Sequence, residues 1–176
     1  DATHLDTLTV DIKGAGNVNI GTTAAAAFVE VESGKSVANK MTVGKADSVF
    51  KIEADSMKNT IANAGTLQMG KGEITNNITG TGKMVVLADN AVTLNNSNTV
   101  TQYSLEVKAG GSLVANVNGL IIKTENTTAH IGALSGTAAT AEIRGDWNPG
   151  TNRVLAVHQD TDTTFAGKFL VKDDNR

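Results

Sequence analysis

Apolar residues in this chain recur in pairs two apart, and a Gly, Asn or Asp follows five places after the first. Val29 and Val31 precede Gly34, Leu67 and Met69 precede Gly72, and Leu105 and Val107 precede Gly110. The starts of these three copies are 67 − 29 = 38 and 105 − 67 = 38 residues apart. Weaker copies begin at Phe50 with Asp55, Val85 with Asn90, Ile121 with Asn126, and Ala141 or Ile143 with Asn148 nearby. From Val29 to Ile143 the mean step is (143 − 29)/6 = 19 residues. Alternation with period two is the mark of a strand with one buried face. A Gly, Asn or Asp at a fixed offset supplies a corner that tolerates positive φ. A short strand and a corner repeating at about this length predict a coiled β-solenoid.

The expected fold is therefore all-β, a right-handed parallel β-helix with 19-residue rungs on the spacing above. A β-sandwich is the alternative, because its strands also recur at short intervals with turn signals. Strand-like alternation is widespread: Leu8–Ile12, Asn17–Ile20, Leu67–Met69, Met84–Leu87, Leu113–Ile122, Val154–Val157 and Phe165–Val171 all read as strands, with Gly119 in a turn. Thr22–Ala27 reads as a strand or a loop of small residues, and Ala54–Ala64 as a corner. Asn76-Asn77 and Asn95-Asn96 suit solenoid corners where side-chain amides bond along the axis. No linker or low-complexity tract divides residues 1–176, which predicts a single solenoid segment.

Composition sharpens this. There are four Phe, one Trp and one Tyr, which is sparse for a sandwich core but suits a narrow core of stacked Val, Ile, Leu and Ala. The net charge is −3, and the arginines are Arg144, Arg153 and Arg176, so no basic stripe invites nucleic acid. Cysteine is absent, and stability must come from the core. No apolar run approaches the ~20 residues of a spanning helix. Asp1 stands where an initiating Met is expected, so the chain reads as a processed product or a piece of a longer one.

Candidate chemistry is thin. Gly65–Gly72 nearly spells a phosphate loop, but Gly72 replaces the magnesium-binding hydroxyl and Glu73-Ile74-Thr75 does not begin a helix. Ser33-Gly34-Lys35-Ser36 lacks the upstream Gly, because Val29 stands there. His158, Asp160 and Asp162 alternate and would share a strand face, which is too few ligands for a cation. His4 and His130 are isolated, and Asp89 and Asp146 lie far from other acids in sequence. Asp173-Asp174 is a pair at the polar end of the chain. The paired carboxylates of a glycosidase would need coils to bring acids together. Trp147 reads as a plug over a core edge within the loop Trp147–Arg153, and both Trp147 and Tyr103 are candidate sugar-stacking platforms. The expected site list is empty: no catalytic residue, no cofactor and no metal.

Three segments carry a resemblance. Gly65-Thr-Leu-Gln-Met-Gly70, Leu105-Glu-Val-Lys-Ala-Gly-Gly-Ser-Leu113 and Thr163-Thr-Phe-Ala-Gly-Lys-Phe169 are similar to rungs of bacterial autotransporter passenger domains and related large β-helical adhesins. The similarity covers residues 29–171 and is specific to architecture rather than to one protein. It implies secretion, display at the bacterial cell surface, and an adhesive or stalk-like role with self-association or a host protein or glycan as partner. It places no catalytic residue on this chain, and no translocating barrel is present in these residues. The competing functions are a carbohydrate-active β-helix (a polysaccharide lyase or hydrolase, or a tailspike-like depolymerase) and a surface-layer lattice protein. The Asp-Asp pairs, Gly-His-Gly and Arg-Ile-Lys segments of solenoid pectinases do not occur within the repeat.

Overall fold

The computed structural model describes residues 5–22, 24–95, 99–117, 119–122, 133–145, 154–157 and 162–171. The chain winds through strands in coils. The first coil holds β1 (Leu5–Leu8) and β2 (Asn17–Ile20), and the second β3 (Phe28–Val31) and β4 (Lys40–Val43). The third holds β5 (Val49–Glu53) and β6 (Ile61–Asn63), with a 3₁₀ turn at Ala54–Ser56 between them. Three strands then build each coil: β7 (Thr66–Gly70), β8 (Gly72–Ile74) and β9 (Ile78–Thr79); β10 (Lys83–Val86), β11 (Ala91–Asn95) and β12 (Thr99–Gln102). Next come β13 (Ser104–Val107), β14 (Ser112–Asn116) and β15 (Gly119–Ile122), then β16 (Ala133–Ser135), β17 (Glu142–Gly145) and β18 (Val154–Val157). β19 (Lys168–Val171) follows.

The coils stack into three walls. The first wall is the seven-stranded sheet β1-β3-β5-β7-β10-β13-β16. The second is β8-β11-β14-β17-β19, and single bridges from Ile12 to Val37 and from Val37 to Met57 lie in the earlier coils. The third comprises β2-β4-β6-β9 and β12-β15-β18. Every strand pair among the described residues is parallel. A sandwich is made of antiparallel neighbours, so the structure is the parallel β-solenoid and not the alternative.

Pairing in register lines residues into columns along the axis. Val29, Phe50, Leu67, Met84, Leu105 and Leu134 form one inward column. Val31, Ile52, Met69, Val86 and Val107 are buried in the same wall, two residues further along each strand. The two 38-residue steps therefore join members of one column, each step spanning two coils. Over its whole length, from Val29 to Leu134, the column advances by a longer mean step than the sequence beat predicts.

The difference has a physical cause. The steps stay close to the expected beat from Val29 to Leu105, and the coil then widens, so that the interval from Leu105 to Leu134 is the longest in the column. Ile121 sits in β15 on the third wall and Ile143 in β17 on the second. Apolar strand residues of other walls imitate the repeat once the true successor, Leu134, is delayed. Val85 is one residue late, because Met84 holds the inward position. The first strand ends at Leu8 instead of running to Ile12, and Val10 is 63% exposed. The described residues of Thr22–Ala27 lie outside strands, and the Thr22 hydroxyl accepts the Ala24 and Ala25 N–H groups. Gly119 opens β15 rather than turning the chain.

Three of the corners after the first wall share one device. Lys35, Asn90 and Gly111 donate N–H to the carbonyls of Glu32, Leu87 and Lys108, closing four-residue turns. The third residue of each turn has positive φ: Gly34 at 80°, Asp89 at 56° and Gly110 at 69°. Asn90 is thus a neighbour of the left-handed residue, and its Oδ1 instead accepts the Lys71 N–H of the preceding coil at 2.8 Å. Asp55 lies in the 3₁₀ turn, and Gly72 opens β8. Asn126 and Asn148 fall outside the described residues. Asn76 donates to the Met57 carbonyl at 3.2 Å and Asn95 to Glu73, both in the preceding coil, and Asn96 falls outside the described residues.

One break in the apolar core is fully hydrogen-bonded. In the third wall the column Ile20, Val43 reaches Asn63, which is fully buried. Asn63 Nδ2 donates to Gln102 Oε1 at 2.8 Å and to the Lys83 carbonyl at 3.0 Å, while its Oδ1 accepts the Gly65 N–H. Gln102, also fully buried, donates in turn to the Gly80 carbonyl. Two amides from coils two apart meet because the coil between them offers only Gly80 at this place. Gly80 has φ 92°, and a Cβ there would lie 2.4 Å from the Asn63 carbonyl oxygen.

These contacts set an expected order of stability losses. Gly80→Ala combines left-handed strain with a backbone clash and is expected to cost about 3 kcal/mol. Gly34→Ala has strain alone, since nothing lies within 4 Å of its Cβ position, and is expected to cost about 1 kcal/mol. Urea unfolding of both variants checks the order; equal losses would contradict the packing described for Gly80.

Candidate functional site

The structure removes the two near-phosphate-loop readings and leaves most of the other sequence-level candidates outside the described residues. Thr66–Gly70 and Gly72–Ile74 are consecutive strands, so no helix N-terminus faces the near-phosphate-loop Gly65–Gly72. Ser33–Ser36 is a solenoid corner. Asp89 is exposed at the left-handed corner position, and Asp162 is exposed beside Thr163. His4, His130, His158, Asp160, Asp146, Trp147, Asp173 and Asp174 lie outside the described residues, as does the loop 147–153. Among the described residues no three His, Cys, Asp or Glu side chains gather where they would hold a metal ion.

The outer faces differ in chemistry. On the first wall the outward column Glu30, Lys51, Gln68, Val85, Glu106 runs along the axis. Val85 is covered there, at 2% exposure. Lys51 pairs with Glu30 at 2.6 Å and Lys83 with Glu106 at 2.6 Å. The third wall carries hydroxyls and amides instead: Asn19, Thr42, Ala62 and Thr79 form an outward column. Asn17 and Thr42 exchange hydrogen bonds across the coils at 3.1 and 3.2 Å. Of these two faces, the Thr- and Asn-rich one is that of the third wall, and the first wall carries ion pairs and polar side chains.

Tyr103 marks a recess that combines an aromatic ring with hydroxyls. The corner from the third wall to the first forms the axial column Ser48, Gly65, Gly82, Tyr103. The N–H groups of Thr66, Lys83 and Tyr103 donate to the carbonyls of Ser48, Gly65 and Gly82 at 2.7–2.8 Å. Two successive coils have no side chain at this corner, and neither position admits one. A Cβ on Gly65 would lie 2.5 Å from the Ser48 carbonyl oxygen, and one on Gly82 would lie 2.3 Å from that of Gly65. The tyrosine then rises beside the bare corner with 40% of its surface exposed. A cleft of about 430 Å³ results, bordered by Thr66, Thr81, Lys83 and Tyr103, with Ala46 and Ala64 as apolar floor.

The sequence alone points to Tyr103 as a platform. It does not point to Gly65, Thr81, Gly82 or Lys83 as its companions. The signal that could have found them is the register: Thr66 and Lys83 are in-register partners in adjoining coils, so Gly65 and Gly82 must stack one above the other.

Elsewhere, Asp11 bridges the first two coils. The Ser36 N–H donates to its Oδ1 at 2.9 Å and the Ser36 hydroxyl at 3.2 Å. The backbone bond is the main cause that holds the Asp11 carboxyl below its ordinary value of 3.8; desolvation opposes it, and the Ser36 hydroxyl and Lys13 add lesser lowering contributions. No described helix is long and apolar enough to cross a membrane. No family model matches this chain, and no curated protein and no solved structure does either.

The depressed pKa fixes a direction. The carboxylate's contribution is complete above pH 3.8 and is lost as pH falls through the folded-state value, because protonation removes the acceptor for Ser36. The Ser36 amide resonance is expected to titrate with the Asp11 carboxyl, at a pH below that of a free aspartate. Asp11→Asn should abolish the transition; a Ser36 amide that titrates at or above 3.8 would contradict the assignment.

Proposed function

We propose that this chain is a non-catalytic structural and adhesive segment of a bacterial cell-surface protein, acting through self-association and through its long polar walls. The observation that carries this reading is the stack itself, in-register and parallel over seven strands of the first wall. A surface of this kind grows with each coil, so individually weak contacts add along the axis. The similarity of Gly65–Gly70, Leu105–Leu113 and Thr163–Phe169 to autotransporter passenger rungs supports secretion and surface display.

The last described strand leaves an apolar edge open among the described residues. Phe169 occupies the inward column of the second wall, after Val92, Leu113 and Ile143. Those three are fully buried, whereas Phe169 is 50% exposed. Its ring lies 4.9 Å from that of Phe165, whose partner is Gly136 in the coil below. A core position left half open is apolar surface that a further parallel coil would cover. Such a coil would come from the rest of a longer chain or from a second copy stacked end to end.

Sedimentation across a concentration series tests this. Association is expected, and Phe169→Glu should weaken it by about tenfold while leaving the thermal midpoint nearly unchanged. A monomer at every concentration would remove self-association from the proposal.

A further inference from the structure

The cleft beside Tyr103 is a recognition site whose ligand class can be read from its lining, and we infer that it binds an uncharged sugar ring. Three observations converge. The first is the ring: Tyr103 is 40% exposed next to a space of about 430 Å³, which is toward the small end of ligand pockets. A tyrosine offers a flat apolar face with a polar tip, and the C–H face of a pyranose is the matching surface. The second is the hydroxyls. Thr66 and Thr81 border the same space, and neither hydroxyl bonds to another described group. They are available to the equatorial hydroxyls of a sugar stacked on the ring, as donor and as acceptor.

The third observation is charge. Lys83 is the one charged side chain among the described residues lining the cleft. Its ammonium group is held by Glu106 at 2.6 Å, in the adjoining coil of the first wall. A phosphate, a sulfated glycan or a uronic acid would have to draw Lys83 away from that carboxylate and would then face Glu106 unpaired. A neutral ligand leaves the pair intact. A peptide strand fares worse, because the backbone N–H groups of Thr66, Lys83 and Tyr103 are already committed to the coil below. The site is small and one-sided, so each copy binds weakly, and end-to-end association would multiply it.

Sugar binding stands apart from the scaffold role: the two are read by separate measurements, and either can fail alone. Tyr103 is the only tyrosine in the chain, so its ring protons form a single unambiguous NMR signal set. Lactose, maltose, cellobiose and chitobiose are titrated into the intact chain, with galacturonate and inorganic sulfate as charged controls. Perturbed Tyr103 ring signals, with upfield shifts of the C–H protons of the sugar, are expected with at least one neutral disaccharide, with a dissociation constant on the order of millimolar. Tyr103→Phe should keep that affinity within about threefold, because the ring face is retained. Tyr103→Ala should weaken it at least about tenfold, and Thr81→Val about fivefold. Unchanged Tyr103 signals with every neutral sugar would overturn the proposal. So would affinity that survives Tyr103→Ala, or binding confined to galacturonate or sulfate. Circular dichroism of each variant identifies any loss of fold, and Thr81→Val then carries the test, since that substitution leaves the ring and the core in place.

Discussion

In-register parallel hydrogen bonding between successive coils governs everything else in this structure. Each coil bonds to the one before and the one after, so a residue's neighbours along the axis are fixed by register and not by choice. An inward residue therefore sits between two inward residues, and a polar one there must find its partners within the stack. Asn63 does so by bonding to Gln102 across the Gly80 coil. In the middle coils the inward column of the first wall is apolar and fully buried, each side chain such as Leu67 or Met84 contributing about 2 kcal/mol of burial. Aromatic residues are scarce because a narrow core leaves little room for them: Phe50 is the one fully buried ring among the described residues.

The same constraint explains why the architecture was legible in the chain and its later coils were not. Val29, Phe50, Leu67 and Leu105 belong to one column, so alternation and a following corner residue identified them correctly. Periodicity, however, carries no label for a wall. When the coil lengthens between Leu105 and Leu134, apolar residues of the third and second walls, Ile121 and Ile143, fall near the expected beat. The corners were legible as composition, yet the left-handed residue after Val86 is Asp89 and not Asn90, because turn closure by the Asn90 N–H decides the position. The cleft was legible only as Tyr103. Its other members are ordinary Gly, Thr and Lys residues until register stacks them.

Function on such a scaffold separates into ends and sides. The ends are where strand edges and inward residues such as Phe169 meet no further described coil, and there the fold's own pairing rule selects a partner of like geometry. The sides are where outward columns repeat, with ion pairs on the first wall and hydroxyls and amides on the third. The Tyr103 corner lies between those two walls. It owes its depth to the two glycines below it, which the close approach of successive backbones requires. A recess there is thus a by-product of coil stacking that a single aromatic residue turns into a binding surface.

Register along the first wall is the central claim, and spin-label distances test it most directly, since the chain contains no cysteine to compete. Thr7, Glu30, Lys51, Gln68, Val85, Glu106 and Ser135 form one outward column. Thr7→Cys paired with Glu106→Cys spans five strand spacings, and Thr7→Cys paired with Ser135→Cys spans six. At ~4.8 Å per spacing the distances along the axis are about 24 Å and about 29 Å. A pulsed electron resonance measurement that returns this order, with an increment of about 5 Å, is the expected result. Equal distances, or a shorter one for the Ser135 pair, would contradict the stacked coil.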